Sequence, residues 1–321
     1  MYRNGIDVLR PGAEGYKKMT RRYCGRARER FWEIDFLRGL CVVLMIFDHF
    51  MYCLFDILPS INEMFGTRLF EQSYRLALQW WSWDVRVNVR LIVVSLFFLL
   101  CGISCTLTRG NFRRAIPLAL VAAGISSVTA ILEQFGLGEH VLFGVIHMLA
   151  CGIFLYAVFD ELALAAGSFL GEGRAARIAK GALRLLPGVM GVVLLAWLFG
   201  GGFAEFRVLN GQWDIHSLYD LPDATRAEKT FASVFLYIRN FTPDSGDYFP
   251  LLPWAALILA GGILGRLIYH TDAKYALAPL DGAWNKGVCF LGRHAAFLYI
   301  AHMVAIPLFL ALLAAMAIPF S

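Results

Sequence analysis

The stretch EIDFLRGLCVVLMIFDHF, residues 33–50, decides the class of fold. Most of its residues would suit the middle of a lipid bilayer, yet it also contains Asp35, Arg38, Asp48 and His49. Ionisable side chains inside a membrane segment are costly, and they are rare unless they serve a function. We therefore expect a membrane span that also carries a functional site.

The whole chain has the composition of a helical membrane protein. Of its 321 residues, 59% are hydrophobic and 17% are charged, and the mean hydropathy is +0.61. Soluble domains carry about 25% charged residues, and a soluble α/β enzyme would interrupt its apolar runs more often. Runs of about 20 apolar residues predict membrane-spanning helices. The prediction is an all-α bundle of about seven spans, near residues 36–57, 88–108, 113–132, 140–160, 181–200, 248–269 and 295–318.

The charges between the spans predict an orientation. Residues 1–30 are rich in Lys and Arg, and so are the second, fourth and sixth connections, whereas the third carries Glu133 and Glu139 and no Lys or Arg. The positive-inside rule then places the N-terminus in the cytoplasm and the C-terminus outside. We divide the chain into a basic cytoplasmic segment, 1–30, and a transmembrane domain, 31–321. The basic segment adjoins a span, which favours contact with anionic membrane lipid over nucleic acid.

Arg38 and His49 lie on one face of the predicted first span. They are eleven residues apart, which is three helical turns with about 20° left over and a rise of about 16 Å. Asp35 precedes Arg38 by three residues and is within pairing distance of it. Asp48 points about 100° away from His49. A structural alternative stays open, in which Asp35 pairs with Arg38 at the interface and His49 bonds a helix carbonyl.

Two further histidines lie inside predicted spans. His302 follows Arg293 by nine residues, a rise of about 13 Å, which places it at a depth close to that of His49. His147 lies in VLFGVIHMLACG, nearer the outer surface. A single membrane histidine more often bonds a neighbouring helix than catalyses. Several of them, two at matching depth, favour a shared polar cavity.

The predicted outer connections have their own features. TRLFEQSYRLALQWWSWDV, in the first connection, predicts an amphipathic helix whose Trp residues lie at the membrane interface. Asp247 and Tyr248 stand at the outer mouth of the sixth span, just before FPLLPW. They indicate either a lip that binds an acceptor or a capped helix with an aromatic anchor, and the sequence does not choose between the two.

Five blocks of the sequence carry a family resemblance. They are EIDFLRGLCVVLMIFDHF, SLFFLLCGISCTLTRGNFRRA, VLFGVIHMLACG, DYFPLLPWAALILAGGILG and LGRHAAFLYIAHMVAIP. In this order they resemble the bacterial branch of the heparan-α-glucosaminide N-acetyltransferase catalytic-domain family, from about Arg30 to Pro307. The first, second and last blocks also resemble the wider transmembrane acyltransferase superfamily, in which an Arg and a His at this spacing open the domain.

The resemblance implies transfer of an acyl group from cytoplasmic acyl-CoA, expected to be acetyl-CoA, to an acceptor across the membrane. Arginine suits the CoA phosphates because its planar fork donates two hydrogen bonds. Histidine suits the thioester end because imidazole can take a proton from an amine or hydroxyl. The positive-inside rule explains the arginines outside the first span equally well. The candidate catalytic residues are His49, Asp48, His302 and His147, and the candidate CoA-binding residues are Arg38, Asp35, Arg113, Arg114 and Arg293.

Two departures from the family pattern leave the acceptor open. The lysosomal members place a histidine in the loop after the first span, but this chain has no histidine between His49 and His140. Cys101 stands where many relatives have Ser. The expected acceptor is therefore an extracytoplasmic glycan or glycolipid, and a heparan sugar is not implied.

Two other function classes compete with the enzyme. A proton-coupled multi-span transporter would also use intramembrane Asp, Arg and His, but the sequence has no paired halves or matching broken helices. A non-catalytic membrane scaffold leaves the ionisable residues unexplained. The expected enzyme is a multi-pass protein of the plasma membrane that needs no metal and binds no nucleic acid. A homodimer stays open.

Overall fold

The computed structural model describes residues 30–108, 110–134, 139–200, 204–209, 212–217, 221–238, 241–245 and 247–317. The predicted basic segment, apart from Arg30, lies outside the described residues. Twelve helices and two strands follow one another in the described part of the chain. They are α1 (Trp32–Tyr52), α2 (Leu58–Phe65), α3 (Glu71–Trp81), α4 (Asp84–Thr106), α5 (Asn111–Gln134), α6 (Val145–Ser168), α7 (Arg174–Leu183), α8 (Leu186–Gly200), β1 (Ala204–Leu209), β2 (Gln212–Ser217), α9 (Arg226–Ser233), α10 (Leu251–Leu264), α11 (Lys286–Arg293) and α12 (Ala295–Ala317). Short π segments extend α1 over Cys53–Ile57 and α10 over Gly265–Tyr269, and two 3-10 turns cover Asp272–Tyr275 and Ala278–Leu280.

The helices confirm the predicted class, a helical multi-span membrane protein. Within the described residues, six helical stretches are long and apolar enough to cross a bilayer. A seventh span results if α7 and α8, which meet at a 44° bend, cross as one. The antiparallel strands β1 and β2 pair Ala204 with Ser217 and Leu209 with Gln212. They lie in the fifth connection, for which the sequence analysis assigned no secondary structure.

The chain divides into two units. The first comprises the described residues of Met1–Trp81 and Leu267–Ser321, and the second comprises those of Ser82–Arg266. The first unit therefore holds α1, α2, α3, α11 and α12, and the second holds α4 to α10.

Close backbone contact between α1 and α11 shapes the first unit. A Cβ atom at Gly39 would meet the carbonyl oxygen of Val288, and one at Gly292 would meet that of Asp35. Only glycine lets the two helices approach this closely. The contact brings Arg293, the residue after Gly292, close enough to Asp35 to act on its carboxylate.

The amphipathic helix predicted in the first connection is present as α3. Its Trp80 ring lies 5.0 Å from the ring of Phe47 on α1, with an interplanar angle of 84°. Behind it, Leu58 and Leu310 are buried in a core shared by α2, α3 and α12. Burial of this apolar surface holds α3 against the C-terminal end of α1, which is the end away from Arg38.

In the second unit, α10 packs closely against its neighbours. A Cβ at Gly102 of α4 would meet the carbonyl oxygen of Ile258, and one at Gly191 of α8 would meet the backbone of α10. Arg266 Nη2 donates to Oδ1 of Asp160, on α6, over 2.7 Å. This ion pair is mostly buried, so removing one partner would leave a buried charge uncompensated.

Candidate active site

One continuous helix carries the two ends of the predicted site. Arg38 and His49 both lie in α1, so the helical rise of about 16 Å between them applies. Asp35 and Arg38 form the predicted pair, with Arg38 Nη1 3.1 Å from Asp35 Oδ1. Their side chains are 16% and 21% exposed, so both partners of this ion pair are largely shielded from solvent.

The imidazoles of His49 and His302 face each other in the first unit. Their ring centroids are 4.9 Å apart, and the rings are nearly perpendicular at 84°. His302 is 7% exposed. The matching depth predicted from helical rise thus corresponds to direct contact between the rings of α1 and α12.

The two imidazoles differ in their hydrogen bonds. His302 Nδ1 lies 3.0 Å from the carbonyl oxygen of Leu298. A carbonyl only accepts, so Nδ1 carries the hydrogen and Nε2 of the neutral ring keeps its lone pair. The ring of His49 makes no hydrogen bond with any residue that the structure describes. His49 therefore has both nitrogens available to a bound molecule.

Tyrosine rings flank the histidine pair. Tyr52 lies 5.6 Å from His49, and Tyr299 lies 5.6 Å from His302. Each tyrosine is three residues from its histidine, which is a helical neighbour spacing. The sequence analysis did not select them, although this spacing was the signal. The α1 helix then passes into the π segment Cys53–Ile57, a local irregularity that is frequent at functional sites.

Asp48 has a partner outside α1. Trp80 Nε1 of α3 donates to Asp48 Oδ1 over 3.0 Å. The carboxylate thus accepts a hydrogen bond from the indole. This bond joins α3 to the residue next to His49, and a catalytic role for Asp48 stays a prediction.

The remaining candidate arginines fall in both units. Arg293 ends α11 in the first unit, where its Nε donates to the carbonyl oxygen of Cys289 over 3.2 Å. Arg113 and Arg114 begin α5 in the second unit, and Arg114 Nη1 donates to Asn111 Oδ1 over 3.3 Å. Of the three, Arg293 belongs to the same unit as Arg38.

His147 uses both ring nitrogens within the second unit. Ser126 Oγ donates to the carbonyl oxygen of Val141 over 2.7 Å and lies 3.0 Å from His147 Nε2. The backbone N–H of Gly144 donates to His147 Nδ1 over 3.3 Å. One neutral tautomer satisfies all three bonds, with the hydrogen on Nε2. This arrangement fits a ring that stabilises the start of α6, and catalysis at His147 stays a prediction.

Asp247 and Tyr248 both make structural contacts at the end of the second unit where α6 and α10 begin. The backbone N–H of Val145 donates to Asp247 Oδ2 over 2.9 Å, which caps α6. The Tyr248 hydroxyl donates to the carbonyl oxygen of Ser233 over 2.7 Å. Their predicted role in acceptor binding is untested by these contacts.

Within the described part of the chain, no group of three or more His, Cys, Asp or Glu side chains is arranged to hold a metal ion. The first unit holds the imidazoles of His49 and His302 in contact between apolar helices. Arg38 lies about three turns from His49 along α1. A bundle of apolar helices with such a polar site defines a multi-span membrane protein with intramembrane acid–base groups.

Comparison with known proteins assigns this bundle to a family. The family model described as heparan-alpha-glucosaminide N-acetyltransferase, catalytic, matches residues 30–304. The chain belongs to this family of membrane acetyltransferases, which confirms the resemblance seen in the five sequence blocks. No curated protein and no solved structure matches the chain significantly.

Proposed function

We propose that the protein transfers an acetyl group from acetyl-CoA to an amine or hydroxyl of an extracytoplasmic sugar or glycolipid. The observation that carries the proposal is the contact between His49 and His302, whose ring centroids are 4.9 Å apart on two apolar helices. Residues 30–304 match an acetyltransferase family, which supports acetyl as the group that is transferred. The donor, the acceptor and the roles of individual residues are our inference.

The donor would bind along α1. Arg38, with Arg293 close to its partner Asp35, would hold the CoA phosphates at one end. The pantetheine arm would extend toward His49, about 16 Å further along the helix. Arginine is the suitable residue because its planar fork matches phosphate oxygens. Arg113 and Arg114, which lie in the second unit, stay predicted candidates for CoA binding.

The chemical step would be attack by the acceptor on the thioester carbonyl. His49 would take the proton from the attacking amine or hydroxyl as the new C–N or C–O bond forms. The C–S bond would then break, and the CoA thiolate would leave and take up a proton. His302, whose Nδ1–H is held by Leu298, would present its Nε2 lone pair to the same space.

The membrane arrangement would make the transfer vectorial. The basic N-terminal segment and connections support a cytoplasmic N-terminus under the positive-inside rule. The thioester end of CoA would then reach the middle of the bundle from the cytoplasm, and the acceptor would enter from outside. The plasma membrane is the expected location.

A proton-coupled transporter is the rival proposal. Two imidazoles in contact inside apolar helices also suit a path for protons. A transporter would, however, have no reason to bind CoA or to split its thioester.

The deciding experiment uses the purified full chain in detergent. We expect it to bind acetyl-CoA and to hydrolyse it slowly when no acceptor is present, because water can replace the acceptor. Equilibrium dialysis would measure the binding, and a thiol reagent would measure release of CoA. Protein shown to be folded that does neither would refute the acetyltransferase and favour the transporter.

A further inference from the structure

An aromatic cluster lies at the end of α1 away from Arg38. It consists of Tyr52, Phe55, Tyr74 and Trp81, which all belong to the first unit. The ring of Phe55 is nearly parallel to the ring of Tyr74, with centroids 6.0 Å apart, and to the ring of Trp81, with centroids 5.9 Å apart. The ring of Tyr52 lies 5.4 Å from that of Trp81. None of the roles above uses these four rings together.

The cluster is fixed in position but only partly covered. Centroid distances near 6 Å fall in the range of offset stacking, so neighbouring rings do not fully cover each other. Tyr52 and Phe55 pack against the core around Leu54 and Leu58, which holds them in place. Tyr74, in contrast, is 37% exposed. The cluster therefore presents aromatic surface that is positioned before any ligand binds.

A carboxylate stands beside these rings. The Tyr52 hydroxyl donates to Asp56 Oδ2 over 2.7 Å, which orients the carboxylate next to the cluster. Asp56 is exposed, and its Oδ1 makes no hydrogen bond or ion pair with the residues that the structure describes. Asp56 follows Trp32 by 24 residues, about 36 Å of helix, which exceeds the roughly 30 Å of a bilayer core. With Trp32 near one membrane surface, the carboxylate lies near the other.

The rings and the carboxylate together match the chemistry of a sugar. The face of an aromatic ring carries partial negative charge, which attracts the C–H hydrogens on the less polar face of a pyranose. An ionised carboxylate only accepts hydrogen bonds, and the hydroxyl or ammonium groups of a sugar donate them. A lipid acyl chain would contact the rings but would offer Asp56 no donor. A sugar that carries its own carboxylate or phosphate would be repelled by Asp56.

The cluster is continuous with the imidazole pair. The ring of Tyr52 lies 5.6 Å from that of His49 on one side and 5.4 Å from that of Trp81 on the other. Asp56 follows His49 by seven residues, about 10 Å of helix. A sugar bound at the cluster is therefore within reach of the histidine that would take its proton.

We propose that the aromatic cluster and Asp56 bind the ring of the sugar acceptor, and that they select neutral or amino sugars over acidic ones. The rings of the cluster contact the C–H face of the sugar. Asp56, oriented by Tyr52, accepts a hydrogen bond from a hydroxyl or ammonium group. The inference rests on the proposed function, because it names the chemical class of the acceptor for that reaction.

The first test is direct binding of four labelled sugars to the folded full chain, without any acyl donor. The detergent must lack a sugar head group, since such a group would compete for the cluster. The pairs are glucosamine with glucosamine 6-phosphate and glucose with glucuronate. In each pair we expect the non-acidic sugar to bind about tenfold more tightly. Asp56→Asn removes this preference, whereas Glu63→Gln, which replaces an exposed carboxylate on α2, leaves it unchanged.

The second test addresses the rings. Tyr74→Leu should weaken the binding of glucosamine and glucose about three- to tenfold, the usual range for an aromatic contact. Tyr74→Phe keeps the ring and should bind both sugars as wild type does. Phe169→Leu replaces an exposed aromatic residue of the second unit and is the control. Thermal unfolding of each variant shows that the protein is folded.

Three results overturn the proposal. In the first, wild type binds none of the four sugars, or binds acidic and non-acidic sugars equally well. In the second, the preference survives in Asp56→Asn. In the third, Tyr74→Leu binds both sugars as tightly as wild type, which would make the cluster an anchor at the membrane interface.

The same variants separate this inference from the proposed function. Sugar binding that depends on Asp56 and Tyr74, in a protein that neither binds nor splits acetyl-CoA, refutes the acetyltransferase and leaves the sugar site standing. Acetyl transfer to a sugar whose KM is unchanged in Asp56→Asn and Tyr74→Leu supports the acetyltransferase and refutes the sugar site.

Discussion

His49 and His302 touch, but their surroundings suit different tasks. The bond from Nδ1 to Leu298 fixes the tautomer and the ring orientation of His302. His49 makes no such bond with the described residues, so its ring can adjust to a bound acceptor. We therefore expect His49 to take the proton and His302 to orient or relay it.

Replacing His49 should remove most of the catalysis. His49→Ala is expected to slow acyl transfer about 10²–10⁴-fold, the usual contribution of an acid–base group. Acetyl-CoA binding should be largely spared, because Arg38 lies about 16 Å away. Because the base must be neutral to accept a proton, transfer should fall as pH drops through the pKa of His49. Transfer rates and acetyl-CoA dissociation constants across a pH series would measure this.

His302→Ala is the comparison for His49→Ala, since the two rings share one space. If His49→Ala keeps nearly full transfer and His302→Ala is inactive, His302 is the base. If both variants keep full transfer, the imidazole pair is not catalytic. Both variants must first be shown to be folded.

The predicted role of Arg38 in CoA binding can be tested by changing the geometry of its side chain while keeping its charge. Arg38→Lys keeps the positive charge but loses the planar fork that donates two bonds to one phosphate. We expect weaker acetyl-CoA binding in Arg38→Lys and a larger loss in Arg38→Ala, with the fold intact. Equilibrium dialysis with acetyl-CoA would measure both. Unchanged affinity in the two variants would leave Arg38 as a structural partner of Asp35.

At the scale of elements, the crossing of α1 and α11 sets the distance between Asp35 and Arg293. Gly39→Ala would push a methyl group into the carbonyl oxygen of Val288. Overpacking of this kind typically costs about 1–3 kcal/mol, so the unfolding temperature should fall. Thermal unfolding in detergent would measure the change.

Gly287→Ala is the matched control for Gly39→Ala. Gly287 also lies in α11, but a Cβ there would meet no atom within 4 Å. Alanine in a helix is more favourable than glycine by about 1 kcal/mol, so this variant should be at least as stable as wild type. Equal destabilisation in both variants would show that the close crossing is not what limits stability.

The elements differ in how far the sequence determines them. Helical rise and twist are local, so the spacing of Arg38 and His49 on α1 followed from residue numbers alone. The depth match of His302 followed from the same rise, but its contact with His49 depends on how α12 packs. The hydrogen bond from Trp80 to Asp48 depends on where α3 packs against α1. The sequence of the residues between the two helices does not specify that position. The backbone hydrogen bonds to Asp247 and His147 could not be foreseen from residue type and depth, and the predicted roles of both residues in the site stay predictions.

At the scale of the whole molecule, the bend between α7 and α8 decides the number of spans. α8 has 15 residues, which span about 22 Å, less than the roughly 30 Å of a bilayer core. α7 carries Arg174, Arg177 and Lys180 and has no buried residue. If the bent pair crosses once, there are seven spans and the two ends of the chain lie on opposite sides.

Single introduced cysteines would settle the crossing. Gly171 precedes α7 and Asp223 follows β2, and both are exposed. With seven spans and a cytoplasmic N-terminus, a membrane-impermeant maleimide added outside should label Asp223→Cys and Ser321→Cys but not Gly171→Cys. The protein without an introduced cysteine is the blank, since the chain has seven cysteines of its own. Labelling of Gly171→Cys and Asp223→Cys from the same side would mean that the bent pair does not cross, which leaves six spans. Ser321 would then lie on the side of the N-terminus, and the charge alternation could no longer assign opposite sides to the fourth and fifth connections.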